Sequence, residues 1–364
     1  MNRPFSVYLD LVRFVAAVLV YLWHSNQRFL TADVLPASNY GHSSVIVFFV
    51  LSGFVIAFVT DTKEKTWPSF TASRFSRVYS VAVPTLIVTL VLDAVGRVLA
   101  PEIYDYPFDH FLIRLASGLL MANEVWFVSI TTFSNVPYWS ICYEWWYYVT
   151  FAMVMFLPAR IGVYAAILTM VVIGPKLILL APVWWLGVLL YRWRRLNDLS
   201  PAVSWFLVVF SWVGIIAYHA YGVADIFGDW FSGHIGADWY RSLTFSKWFL
   251  ADYLLAVLVF ANFAGTRNVV AHGGAALIAV QKPVRFFANY TFTLYLLHQP
   301  LFLFWSAVVR GDPQKIWYWT IVTLLTVAAV GLLGIITEHR RYWLRSRLLP
   351  VFDRWQSAGR ASIS

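Results

Sequence analysis

Residues 43–60 read SSVIVFFVLSGFVIAFVT. Eighteen positions pass without a charge. A helix of that length rises about 27 Å, close to the ~30 Å of a bilayer hydrocarbon core. Nine further apolar runs flank it, at 6–26, 78–99, 137–157, 161–175, 176–192, 202–222, 247–264, 287–309 and 316–337. The chain as a whole agrees. Only 12% of its 364 residues are charged, 60% are hydrophobic and 19% aromatic, with a mean hydropathy of +0.67. A soluble domain carries about 25% charge. That shortfall excludes an ordinary soluble enzyme and a disordered chain. The single Cys142 excludes an intramolecular disulfide scaffold. The expected fold is therefore all-α, a polytopic transmembrane bundle of about ten helices. The first run holds Asp10 and Arg13 and lacks a small-residue cleavage site, so it reads as a span and not as a signal peptide.

Charge sets the expected orientation. The chain has 27 Lys and Arg against 18 Asp and Glu, a net charge of +9. With the N-terminus inside, 18 of the 27 basic residues fall in cytoplasmic turns and tails and 8 outside, which leaves Arg13 within the bilayer. Lys and Arg collect on the cytoplasmic side, so both termini are expected there, and the positive charge needs no nucleic acid to explain it. Segment 108–133 is apolar but broken by Asp109, Arg114, Asn123 and Glu124. It reads as interfacial or re-entrant, because a full span would turn Arg192–Arg195 outward. Residues 1–337 form the expected membrane domain. Residues 338–364 are a basic cytoplasmic tail whose interleaved Trp343, Leu344, Leu348, Leu349, Val351 and Phe352 suit an amphipathic helix on anionic lipid.

Ionisable groups inside spans are costly and mark candidate sites. They are Asp10, Arg13, His24, Asp93, Glu144, Asp252 and His298. Arg13 and His24 are eleven residues apart, so they share one helix face about 16 Å apart. Asp10, three residues earlier, can pair with Arg13. Glu144 sits in an aromatic stretch, Tyr138–Tyr148, about 9 Å below the outer end, with Ser140 one turn away on the same face. His298 lies beside Pro300 about 16 Å from the inner end of its span. His24, Glu144 and His298 are therefore expected to share the outer half of the bilayer. Asp93 and Asp252 read as structural. His42, His110, His219, His234, His272 and His339 read as solvated, near loops or span ends. No Cys/His metal pattern and no phosphate-binding glycine loop occurs in the sequence.

In order along the chain stand Arg13 and His24 with ten residues between them, Phe48-Phe49-Val50-Leu51-Ser52-Gly53-Phe54, Arg74-Phe75-Ser76-Arg77, Trp139-Ser140-Ile141-Cys142-Tyr143-Glu144, and Leu294-Tyr295-Leu296-Leu297-His298-Gln299-Pro300. This series resembles the acyltransferase-3 family of integral membrane O-acyltransferases nearly end to end. One departure is Trp145, where the family has a second acidic or amide residue. Some members carry a fused extracytoplasmic hydrolase-like domain, and this chain resembles the stand-alone, polysaccharide-modifying members.

The resemblance implies transfer of an acyl group, acetyl by default, from cytoplasmic acyl-CoA to a hydroxyl of a surface polysaccharide or lipid-linked oligosaccharide, such as an exopolysaccharide or O-antigen. It also implies a multi-pass protein of the bacterial inner membrane, with lipids as its surroundings and neither metal nor nucleic acid involved. On that basis His24 is the expected general base, with a covalent acyl-histidine as the variant route. Arg13 orients the donor or stabilises the oxyanion, and Glu144 positions the acceptor or polarises a histidine. Arg74 and Arg77 take the donor's phosphates, while Ser52 and Gly53 allow it close backbone approach. Ser140, His298 and Asp10 complete the substrate-binding set. A secondary transporter with a proton relay is the rival from another class, though no second copy of the Arg13–His24 arrangement appears to mark paired repeats. The other large membrane O-acyltransferase family carries its histidine deep in the chain and leaves Ser52-Gly53-Phe54 unexplained.

Overall fold

The computed structural model describes residues 1–27, 40–313, 315–338 and 340–361. Arg28 and His339 lie outside them. The described residues are helical throughout, apart from turns and one isolated bridge between Thr132 and Asn135. The long helices are α1 (Arg3–Gln27), α2 (Gly41–Thr62) and α3 (Trp67–Leu99). After the short α4 (Phe111–Leu119) come α5 (Trp139–Phe156), α6 (Ala159–Ile173), α7 (Pro175–Arg192) and α8 (Pro201–Ala220). Two small helices, α9 (Val223–Ile235) and α10 (Ala237–Ser242), lead into α11 (Phe249–Gly273). Then follow α12 (Ala275–Ala279), α13 (Gln281–Ala288), α14 (Thr291–Val308), α15 (Ile316–Thr337) and α16 (Arg340–Ala361).

Each of the ten expected spans falls on a helix. Seven stretches, covering α1, α2, α3, α7, α8, α11 and α15, are long and apolar enough to cross a membrane. The other three expected spans fall on α5, α6 and α14. Helix α6 has only 15 residues. Helices α5 and α14 reach 18, but Ser140 and Glu144 in one and His298 and Gln299 in the other dilute their apolar character. Large apolar side chains stand exposed along α8 (Phe206, Val213, Ile216), α6 (Leu168, Val172) and α15 (Leu324, Leu332, Ile336). An apolar belt of this extent is stable only against lipid.

Helix α2 lies inside the bundle, packed on α1, α7 and α11, while α14 packs on α1, α3 and α15. The contact between α2 and α7 is made by glycines. A Cβ on Gly53 would stand 2.0 Å from the Trp184 carbonyl oxygen, and one on Gly187 would stand 2.0 Å from that of Val50. Small residues let two membrane helices touch backbone to backbone.

The structure revises one boundary. Helix α3 begins at Trp67, eleven residues before the expected span. Thr66 caps it by accepting from the Ser69 amide, and Pro68 suits its first turn. Arg74 and Arg77 therefore stand on a helix and not in a loop. Segment 108–133 does not form a spanning helix. Beyond α4 it runs irregularly, with left-handed backbone at Met121, Trp126 and Phe133. It is pinned by a buried ion pair, Lys176 Nζ to Glu124 Oε2 at 2.5 Å. Asp93 accepts from the amide and hydroxyl of Ser134, at 2.8 and 2.6 Å, and so anchors the end of this segment to α3. The basic tail is the helix α16, which docks on the start of α3 through Trp67 against Phe352 and Arg345 on Ser69.

Candidate active site

A cavity of about 720 Å³, counted to its open mouth, lies among α1, α2, α3, α5 and α14. Its lining includes Arg13, Ser52, Arg74, Arg77, Ser140, Glu144, Tyr148 and Tyr295. Residues from all five motifs thus reach one cavity wall or its immediate surroundings, although up to 282 positions separate Arg13 from Tyr295 in the sequence.

The floor of the cavity is charged. Ser52 Oγ donates to Glu144 Oε1 at 2.6 Å, and Tyr148 Oη donates to the same oxygen. Trp184 Nε1 in turn donates to Ser52 Oγ at 3.2 Å. Arg13 pairs with Asp10 at 3.1 Å, and Asp10 also lies 3.8 Å from Arg285. The two arginines of α3 differ. Arg74 gives one nitrogen to both oxygens of Glu64 at 2.7 Å, while its Nε is buried without a hydrogen-bond partner. Arg77 feels the charges of Glu144, Glu338 and Glu64, and its own charge acts on Arg13. Among the described residues its guanidinium makes no hydrogen bond and no ion pair; its backbone carbonyl accepts from Ser80 Oγ. The cavity therefore offers a cation that no protein anion has captured.

The histidines lie further along α1 and α14. His298 Nε2 and His24 Nδ1 are 3.0 Å apart. Partner chemistry assigns the protons of the neutral pair. His298 Nδ1 faces the carbonyls of Tyr295 and Leu294 at 2.7 and 3.1 Å, which can only accept, so Nδ1 carries the hydrogen and Nε2 the lone pair. His24 Nδ1 then donates to His298, sharing its hydrogen with the Val20 carbonyl at 3.0 Å, and the lone pair of His24 is on Nε2. Tyr295 joins histidines to cavity: its carbonyl holds His298, and its hydroxyl shares a 2.7 Å hydrogen bond with Ser140.

Not every expected neighbour meets. Glu144 contacts Ser52 and Tyr148 and neither histidine, so it does not polarise an imidazole; it faces Ser52 near the middle of α2. Gly53 does not line the cavity. Its close backbone approach is to α7, because the bundle fills the space a side chain would need. Sequence reasoning gave Tyr148 no role, and Tyr295 entered it only within the motif around His298. Their spacing was the available signal, since Tyr148 is four residues from Glu144 and Tyr295 three from His298. Glu64 and Glu338 were missed because their partners, Arg74 and Thr293, are distant or on another helix.

Comparison with known proteins places this geometry in a family. The family model described as an acyltransferase domain, acyltransferase 3, matches residues 6–335. The acyltransferase MdmB of Streptomyces mycarofaciens is 28% identical over 153 residues, covering 39% of this chain and 37% of that protein. The chain thus spans little more than a third of the curated relative it matches. No solved structure matches. The match over nearly all of the described helices, together with the membrane bundle and its intramembrane cavity, makes this chain a member of the acyltransferase-3 family of membrane acyltransferases.

Proposed function

We propose that the protein moves an acyl group, acetyl by default, from cytoplasmic acyl-CoA to a hydroxyl of an extracytoplasmic or lipid-linked polysaccharide at the inner membrane of a bacterium. The observation that carries this reading is the cavity itself, where Arg13 and Arg77 converge below a hydrogen-bonded histidine pair. Acyl-CoA supplies an activated thioester and a cluster of phosphates. The residues present fit it: Arg77 is uncaptured, and Arg74 retains a buried Nε–H. Guanidinium groups suit phosphate oxygens. Arg74 is the lesser contributor, since Glu64 already holds it. Arg192, Arg194, Arg195, Lys282 and Arg285 share the expected cytoplasmic side as further cations for the donor's phosphates.

His24 acts as general base. Its Nε2 lone pair takes the proton of the acceptor hydroxyl as that oxygen attacks the acyl carbonyl, and the imidazolium returns that proton to the coenzyme A sulfur as the C–S bond breaks, releasing the free thiol and the acyl ester. The imidazolium so formed keeps its Nδ1 hydrogen on His298 Nε2, so His298 orients His24 and spreads its charge. Arg13 faces the developing oxyanion or orients the donor. Glu144 and Asp10 balance Arg13 and Arg77 so that both guanidiniums can remain in the membrane. Ser52 holds Glu144, and Ser140 links the cavity to Tyr295 beside the histidines. Mass spectrometry of surface glycans from cells with and without the gene tests this reading. Acyl groups that disappear with the gene and return on complementation support it; identical glycans contradict it.

A further inference from the structure

A second imidazole is held in a working orientation outside the machinery described above. His42 is the second residue of α2, and its Nε2 lies 2.9 and 3.1 Å from the two carboxylate oxygens of Asp252 on α11. Asp252 is fully buried, whereas the imidazole is 19% exposed. A carboxylate can only accept, so Nε2 carries a hydrogen and the ring is fixed with Nδ1 outward. Among the described residues Nδ1 has no hydrogen-bond partner, and it is not sealed from its surroundings.

Aromatic rings flank the imidazole. The Trp248 ring is 4.9 Å away, and the Trp139 ring lies nearly parallel at 6.5 Å, backed by Phe245 at 4.3 Å. These residues neighbour the proposed site along three segments of chain. Trp139 directly precedes Ser140, and Val45, one turn beyond His42, lines the cavity. Gly41, just before His42, lies against the Trp23 indole, whose ring is 4.5 Å from that of His24.

We infer that His42 and Asp252, with the half-buried Trp248 beside them, form the subsite that seats the sugar ring of the acceptor. Carbohydrates present apolar C–H faces that pack on aromatic rings and hydroxyls that need directed partners. A hydroxyl pairs with Nδ1 in either protonation state of the ring, since it can both donate and accept. Asp252 is a positioning residue that sets the ring. The subsite rests on the proposed acyl transfer to a saccharide, and it adds where that saccharide is held. It stands at the opposite end of α2 from the short turn that leads to α3 with Arg74 and Arg77, so the donor's phosphates and the acceptor's sugar occupy separate ends of the bundle.

The test separates recognition from a simple clamp between α2 and α11. Glutamine places its amide near the position of Nε2, so His42→Gln keeps a partner for Asp252 and removes Nδ1. Native protein, His42→Gln and Asp252→Asn are compared in nanodiscs. The donor is labelled acetyl-CoA, and the acceptor is the producing cell's surface polysaccharide stripped of acyl groups by mild alkali. The expected result for His42→Gln is an acceptor KM raised about tenfold, the loss of one good hydrogen bond. Donor KM and thermal midpoint stay at native values. Asp252→Asn raises acceptor KM in the same direction. An unchanged acceptor KM in His42→Gln, or a fall in kcat alone, overturns the subsite. Absence of transfer by the native protein instead overturns the proposed function, so the two failures are told apart.

Discussion

At the scale of single residues, the cavity separates two arginines that sequence spacing treats alike. Arg74 is buried and bound to Glu64, whereas Arg77 faces the cavity without a captured anion. Arg77→Gln should raise the apparent donor KM about tenfold with little change in stability, since a hydrogen bond to a charged group is worth about 1.5–3 kcal/mol. An unchanged KM refutes its phosphate role. Arg74→Gln should act on folding, because Glu64 is then left as an unpaired buried carboxylate, a loss of about 3 kcal/mol. Detergent thermal melts of the two variants check this contrast. The candidate site was legible in the sequence where chemistry is expensive in lipid: Arg13, His24, Glu144 and His298 each stood out as charges or imidazoles inside apolar runs. The partners that tune them were not, because a tyrosine in a membrane helix has an ordinary interfacial explanation. His42 and Asp252 were read apart as loop and structure, and no local spacing links residues 210 positions apart.

At the scale of elements, apolar runs located every long helix except the basic α16 but misjudged ends. Helix α3 extends eleven residues beyond its apolar stretch because Thr66 and Pro68 start it early, and the added turns hold Arg74 and Arg77. Hydropathy cannot report such an extension, since the added turns are polar. Glycine was also misread at one position. Gly53 looked like access for a ligand, yet the α2–α7 contact consumes its missing side chain. Gly53→Ala should therefore force these helices apart and lower the amount of folded protein recovered from membranes. Gly331, with nothing within 4 Å of its would-be Cβ, is the matched control and should accept alanine freely. Equal recovery of both variants argues that α2 and α7 can separate without cost.

At the scale of the whole molecule, the excess of Lys and Arg on alternate turns leads us to propose that both termini are cytoplasmic. Cys142 is buried, so the native chain is a ready background for thiol labelling. In right-side-out spheroplasts, Asp229→Cys should react with a membrane-impermeant maleimide, and Asn2→Cys and Ser357→Cys should react only after lysis. Labelling of either terminus in intact spheroplasts reverses the topology and, with it, the side from which the donor enters. The central claim is that His24, oriented by His298, takes the proton that starts acyl transfer. Its most direct test is transfer of labelled acetyl from acetyl-CoA to de-acylated surface polysaccharide by purified native protein and by His24→Ala in nanodiscs. A positioned base contributes about 10²–10⁴-fold, so the variant should lose at least a hundredfold in kcat while coenzyme A still raises its thermal midpoint as it does the native protein's. Transfer by His24→Ala at the native rate would contradict the mechanism.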